Sequence, residues 1–383
     1  VRAQVAASDG SSTRTSPMVE RIVVARGLRH PWGVAFLPGG DFLVTEKDGG
    51  MQRVSTAGRL RAVAGIPADL DNRRQTPTDN SGLFGIAVHP EFARNRLLYL
   101  AYSARGDGGT TTKLLRARLT PDARGGDRLV DVRTLFEALP RRADRYHYGG
   151  GLLIVGAHLY LTVGERHFHE RDNPALPVSQ DPRDRRGKVF RFLLDGSAPA
   201  DNPRFGAGAV PGLYALGVRA AQGLAVEPGT TRIWFTEHGP VGGDELNVLV
   251  AGANYGWPVR TAGRYRDADY RPVSPQPGAA ATPAPPHRDP AYVWRDRTVA
   301  PTGLTFYTGT EFPEWRRSLL VAGLGRGHLM RFTLADGRVG AVEYLLEDAP
   351  MRLRAVAQAP DGALYVLTDE VDGKLIRLAR RRE

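Results

Sequence analysis

Short runs that alternate apolar and polar residues recur along the chain, each opening on a small residue, reversing at Pro, Gly or Asp, and most closing near threonine. The first is GVAFLPGGDFLVT at 33–45. The pattern returns as GIAVHP at 85–90 with LLYLAY at 97–102, as GLLIVGAHLYLT at 151–162, and as GLAVEPGTTRIWFT at 223–236. GLTFY at 303–307 with SLLVA at 318–322, and then VAQAPDGALYVLT at 356–368, complete six copies. A period of two bounded by turn residues marks strands joined as hairpins. Six such units, each a hairpin with flanking strands, predict an all-β fold: a six-bladed β-propeller of four-stranded antiparallel blades. A single blade cannot bury both faces, so neighbours must pack around an axis and the ring must close. The run ERIVVA at 20–25 is expected to add an outer strand to the sheet holding KLIRL at 374–378, which removes two exposed edges.

Spread over six units, 383 residues exceed the ~40–50 per blade of minimal propellers, so the excess sits in loops. The longest interruptions fall at 71–80, 165–186 and 260–296, and loops on a rigid scaffold are where function concentrates. The chain reads as a flexible N-terminal tail, 1–18, and one propeller domain, 19–383. With 45 Gly and 28 Pro it carries too many turn residues for a helical bundle. The net charge is +11, yet the arginines are dispersed among Asp and Glu rather than gathered on one face, which argues against a nucleic-acid partner. Absence of cysteine excludes disulfides, thiolate metal sites and cysteine nucleophiles, leaving zinc only His and carboxylate ligands. No apolar run approaches the ~20 residues of a membrane span. The small-residue stretch at 1–16, which starts without methionine, suits a processed protein that is periplasmic or secreted; a trimmed chain is the plainer alternative.

Several polar segments exceed what packing needs. In EHGPVGGDELN at 237–247, followed by GANYGWP at 252–258, the adjacent carboxylates of Asp244 and Glu245 lie in Gly-rich backbone. Such a set suits an oxygen-only Ca²⁺ cage, the plain alternative being an acidic turn capped by its own backbone. His147 precedes one inner strand and Glu165 ends its hairpin partner, so the two are expected at one rim, where a carboxylate orients an imidazole as a general base. An incidental pair is the alternative. Arg219 precedes the fourth unit, and Arg352 and Arg354 precede the sixth; alternate residues share a side and make a fork for anionic oxygens, unless all three are merely solvated. His167 and His169 read as a solvated loop rather than a metal site. No Gly-x-Ser-x-Gly elbow, Walker loop or dinucleotide fingerprint occurs.

PWGVAFLP at 31–38, AVHPEFA at 87–93, the EHGP and NYGWP segments, APTG at 300–303 and PDGALYVLTD at 360–369 resemble the soluble aldose sugar dehydrogenases of the glucose/sorbosone dehydrogenase family, which use pyrroloquinoline quinone (PQQ). The likeness runs from about residue 19 to 378. It implies a six-bladed propeller that oxidises the anomeric hydroxyl of an aldose, or a related alcohol, to the lactone, with PQQ and Ca²⁺ at the channel rim and an external electron acceptor. By resemblance His147 is the general base, Glu165 stands for an Asp partner to it, and Arg219 lies beside the reacting quinone carbonyl. Gln222, Arg352 and Arg354 match cofactor-contacting positions. Backbone oxygens of Gly239 and Pro240 match ligands of a cofactor-bridging Ca²⁺, and Asp244, Glu245 and Tyr255 fall in a structural Ca²⁺ region.

The departures cluster at the cofactor. Where relatives carry Gln-Gly-Gly-Leu this chain has Asn80 leading Ser-Gly-Leu, and Arg-Asn-Pro-Gln reads Arg219-Ala-Ala-Gln222. Gly151 stands where an arginine is frequent, Ala355 where an Asp commonly follows the second arginine, and Arg326 offers the charge, without the geometry, of a cofactor-directed lysine. Two readings follow: a PQQ-dependent dehydrogenase with altered substrate preference, or a Ca²⁺-stabilised propeller that has lost PQQ and binds, hydrolyses or rearranges a sugar-like substrate.

Overall fold

The computed structural model describes residues 19–73, 79–123, 125–166, 177–263, 286–295, 297–325, 328–348 and 351–381. The tail at 1–18 therefore lies outside the described residues. Blade 1 runs from Pro31–Phe36 to Leu60–Ala64, blade 2 from Leu83–Val88 to Asp127–Glu137, and blade 3 from Gly149–Val155 to Leu213–Leu216. Blades 4 and 5 open on Ala221–Val226 and Pro301–Phe306. Blade 6 holds Leu353–Gln358, Leu364–Thr368 and Gly373–Arg380, and takes its fourth strand from the start of the chain: Val19–Leu28 pairs antiparallel with Gly373–Arg380. The edge-hiding pairing expected from the sequence is thus present. Blades 1 and 2 also touch at their outer strands through two parallel pairs, Val63 with Asp127 and Ala64 with Arg128, which joins them into one eight-stranded sheet.

The first strand of each blade is the innermost. Successive first strands touch, and that of blade 6 meets that of blade 1, so the ring closes around an axial cavity of about 200 Å³. All six inner strands carry an irregularity of one extra residue at the same place, as between Pro31 and Val34 or between Ala221 and Leu224. A bulge there leaves a ladder N–H without its partner and re-aims the side chains at the rim. The recurring threonine answers that loss. Thr45 accepts from Gly33 N–H (2.9 Å) and donates to Phe84 O of the next blade (2.6 Å). Thr162 does the same for Gly151 N–H and Ala221 O, and Thr236 for Gly223 N–H and Thr302 O. The small residue that opens each unit has a steric cause: a Cβ on Gly151 would strike Gln222 O, and one on Gly223 would strike Thr302 O. In blades 1, 3 and 4 the glycine-to-threonine spacing of the repeat is therefore the imprint of one inter-blade clamp.

Candidate active site

The mouth of the cavity is built by the segments that lead into the inner strands. His147, two residues ahead of blade 3's inner strand, sits in the left-handed region at φ 49. Its Nδ1 hydrogen-bonds Oε1 of Glu165, which is fully buried just beyond the second strand of the same blade, so the pair expected from the sequence meets at the rim. Gly164 has to be glycine, because a Cβ there would run into the carbonyl of His147. Arg166, buried against the face of Tyr148 at 3.5 Å, donates from Nε to Tyr146 O (2.8 Å) and so fixes the segment that carries His147. Burial first, and then the charges of Arg219 and Arg166, hold the imidazole well below its ordinary pKa. It is therefore neutral, with its proton on Nδ1 facing Glu165 and Nε2 as the basic nitrogen.

Arg219 follows from blade 3 into blade 4. Its guanidinium stacks on Trp257 at 5.1 Å and donates from Nη1 to His238 O (3.0 Å) and Gly239 O (3.3 Å). Its backbone N–H is held by the carboxylate of Glu237. From the opposite side of the mouth comes Arg354, 2% exposed, which donates to Gln222 Oε1 (2.5 Å) and to Asp369 Oδ2 (2.6 Å). Arg352 reaches toward the same carboxylate at 3.7 Å while remaining mostly open to solvent. Asn80 donates its backbone N–H to Arg145 O (3.0 Å), two residues before His147. Arg326, His167 and His169 lie outside the described residues.

One residue at the centre was not singled out by sequence. His238 is depressed to a pKa of about 3 by burial and by Arg354, Arg219 and His147, which places all three around it. Its Nε2 is buried without a partner, as are Nε of Arg219 and Nε of Arg354. Donors and an acceptor of this kind, gathered at one mouth and unmatched by protein, suit a polar, anionic ligand. The only signal in the sequence was its place inside the EHGP segment.

A model of the family described as Glucose / Sorbosone dehydrogenase matches residues 28–377. The chain belongs to the glucose/sorbosone dehydrogenase family. It is 33% identical over 359 residues to the aldose sugar dehydrogenase YliI of Escherichia coli (strain K12), with 92% of this chain and 91% of that one covered. Its fold superposes on the soluble aldose sugar dehydrogenase from Escherichia coli in the apo-form with a TM-score of 0.83 at 31% identity, covering 95% of this chain and 100% of that chain. The PQQ-bound form of an aldose sugar dehydrogenase from Streptomyces coelicolor matches with a TM-score of 0.73 at 26% identity, covering 95% and 98%. No helix among the described residues of this glucose/sorbosone dehydrogenase relative is long and apolar enough to cross a membrane.

The acidic segment departs from expectation. Asp244 and Glu245 begin a strand, Asp244–Leu249, and neighbours along a strand face opposite sides, so they do not close one cage. Asp244 instead accepts from Gly239 N–H (3.0 Å), Val299 N–H (2.8 Å) and Ala300 N–H (2.8 Å), tying the rim of blade 4 to blade 5. Glu245 lies directly across from Glu237 in the adjoining strand. Burial, and for Glu237 the facing Glu245, raise both carboxyls, Glu245 to about 7. The phenol of Tyr255 is occupied, donating to Val248 O (2.6 Å) and accepting from Val250 N–H (3.0 Å). Gly239 O already accepts from Arg219 and Pro240 O from Gly243 N–H (2.9 Å), which leaves each carbonyl one lone pair. Among the described residues no group of three or more His, Asp or Glu is arranged to hold a metal.

Proposed function

We propose that the protein is a PQQ-dependent dehydrogenase that oxidises the anomeric hydroxyl of an aldose, or a related alcohol, to the lactone and passes the electrons to an external acceptor. The observation that carries this reading is the convergence of the neutral His147, held by Glu165, with Arg219, Arg354 and His238 at one mouth. When bound, PQQ supplies the quinone that accepts hydride from the substrate carbon. Arg352 and Arg354 suit its carboxylates, with Gln222 and Asn80 as polar contacts. His147 takes the hydroxyl proton at Nε2 as the C–O bond gains double-bond character, and Glu165 stabilises the imidazolium that results. Arg219, a fixed cation in a partly dry site, stabilises negative charge that develops on an oxygen opposite the base.

For calcium, the donor set supports a hard-cation site at Glu245, where two carboxylates face each other and an intervening Ca²⁺ would relieve their repulsion. Backbone oxygens of Gly239 and Pro240 provide a second, weaker set. The competing reading, a propeller without quinone chemistry, draws on the shortened amide at Asn80 and the alanines Ala220 and Ala221 beside Gln222. Titrating the protein with PQQ in Ca²⁺ and following cofactor absorbance, then dye reduction on adding aldoses, separates the two. Saturable binding with aldose-dependent turnover is expected; no binding would reject the dehydrogenase reading.

A further inference from the structure

Asp369 follows the second strand of blade 6, and its side chain is 1% exposed. Four basic groups converge on this one carboxylate. Oδ1 lies 3.0 Å from His30 Nδ1, and Oδ2 lies 3.0 Å from Lys47 Nζ and 2.6 Å from Arg354 Nη2, with Arg352 at 3.7 Å. Although burial opposes it, Arg354, His30 and Lys47 keep the carboxyl ionised far below the usual range.

The position in the ring gives the cluster its meaning. His30 enters the inner strand of blade 1 and Lys47 leaves its second strand, so Asp369 bonds across the seam where the last blade meets the first. Backbone bonds run along the same seam, from His30 N–H to Glu370 O (2.8 Å), from Lys47 N–H to His30 O (3.0 Å) and from Asp369 N–H to Arg352 O (2.7 Å). His30 adopts a left-handed φ of 48 to make these contacts. The two terminal nitrogens of Arg354 are thereby divided, one on Gln222 across the mouth and one on Asp369 at the seam.

We propose that Asp369 is a positioning residue for the anion-binding floor: it holds the buried Arg354 fork in place, and the closure of the ring and the grip on an anionic cofactor are one polar unit. This rests on the PQQ reading above. Two effects of Asp369 have opposite sign, which makes the role measurable. As a charge, the carboxylate repels an incoming polycarboxylate, so its removal would tighten binding. As a support for Arg354, its removal leaves a buried guanidinium without its anchor, so binding weakens. Held in a rigid site, a pre-set donor fork outweighs one extra unit of unfocused positive charge.

Equilibrium titration with PQQ in Ca²⁺, without substrate, tests this in the wild type, Asp369→Asn, Arg354→Gln and the double variant. D369N is expected to weaken PQQ binding by about tenfold or more despite its higher positive charge. In the Arg354→Gln background the same change is expected to alter affinity less than about twofold, the signature of action through that arginine. Thermal unfolding of each variant checks folding, and Asp369→Glu, which keeps the charge and displaces it by one methylene, serves should D369N not fold; it too is expected to bind more weakly. Equal or tighter binding by D369N, by D369E where D369N does not fold, or an equal loss in both backgrounds, overturns the positioning role while leaving the cofactor reading intact. Failure of the wild type to bind PQQ removes the cofactor reading and this inference with it.

Discussion

Glu165 donates its backbone N–H to the carbonyl of Arg219 (2.8 Å) while its carboxylate holds Nδ1 of His147, so one buried residue links the base on blade 3 to the cation leading into blade 4. The backbone bond fixes the two segments against each other, and the Arg219 guanidinium is then placed by Trp257 and by the carbonyls of His238 and Gly239.

His147→Ala is expected to lower kcat by about 10²–10⁴-fold, the usual share of a general base, with PQQ affinity changed by less than a few-fold. Glu165→Gln keeps the size of the partner and removes its charge, so it is expected to lower kcat less and to leave cofactor binding alone. Dye-linked turnover and a PQQ titration on the same preparations measure both. A His147→Ala enzyme that retains most of its turnover rejects the base assignment.

Thr162 is a test of the clamp that closes the ring. Thr162→Val keeps the shape but deprives Gly151 N–H of its acceptor and Ala221 O of its donor, both at a buried junction. Each orphaned group costs about 1–3 kcal/mol, so denaturation in urea is expected to show a loss in that range or somewhat above it. A neutral result would mean that the bulges, and not the threonines, hold the blades in register.

The architecture was legible in the sequence because local demands repeat: a glycine where blades approach opens five of the six units, and a threonine takes the N–H left by the bulge in blades 1, 3 and 4. His147 with Glu165 was legible for a related reason, since both positions flank strands of one hairpin. Asp244 was not. Its neighbour Glu245 looks like a partner along the chain, but strand alternation separates the two and puts Glu237, eight residues back, opposite Glu245 instead. His238 and Asp369 acquire their surroundings only when blades far apart in sequence meet at the axis, so no local pattern announced them.

Calcium should distinguish the two acidic neighbours. If Glu245 faces the ion, Ca²⁺ is expected to raise the thermal midpoint of the wild type and a chelator to reverse it, with Glu245→Gln losing the response. Asp244→Asn is expected to unfold at lower temperature, because its carboxylate gathers three backbone N–H groups, yet to keep its response to Ca²⁺. A Ca²⁺ response abolished by Asp244→Asn and kept by Glu245→Gln would reverse the assignment.

His238 makes a prediction about acid. Its pKa falls from the ordinary 6.5 to about 3 on folding, so between those limits the unfolded chain binds a proton that the folded chain does not. Stability then rises with pH across that window, by up to about 1.4 kcal/mol per pH unit for each such histidine, and is lost as the solution is acidified below 6.5. Glu237 and Glu245 act in the opposite sense, since their raised values let the folded chain hold protons that the unfolded chain has released. The net profile of the wild type mixes the two, and the contribution of His238 emerges only as a difference. Urea denaturation of the wild type and His238→Gln over pH 4–8 is therefore expected to give a gap in stability that is constant above about pH 7 and shifts in favour of the variant as pH falls, because glutamine has no proton to take up on unfolding. A gap that stays constant down to pH 4 would mean that the imidazole takes up its proton alike in the folded and unfolded chain, and that burial and the neighbouring Arg354 and Arg219 do not depress it.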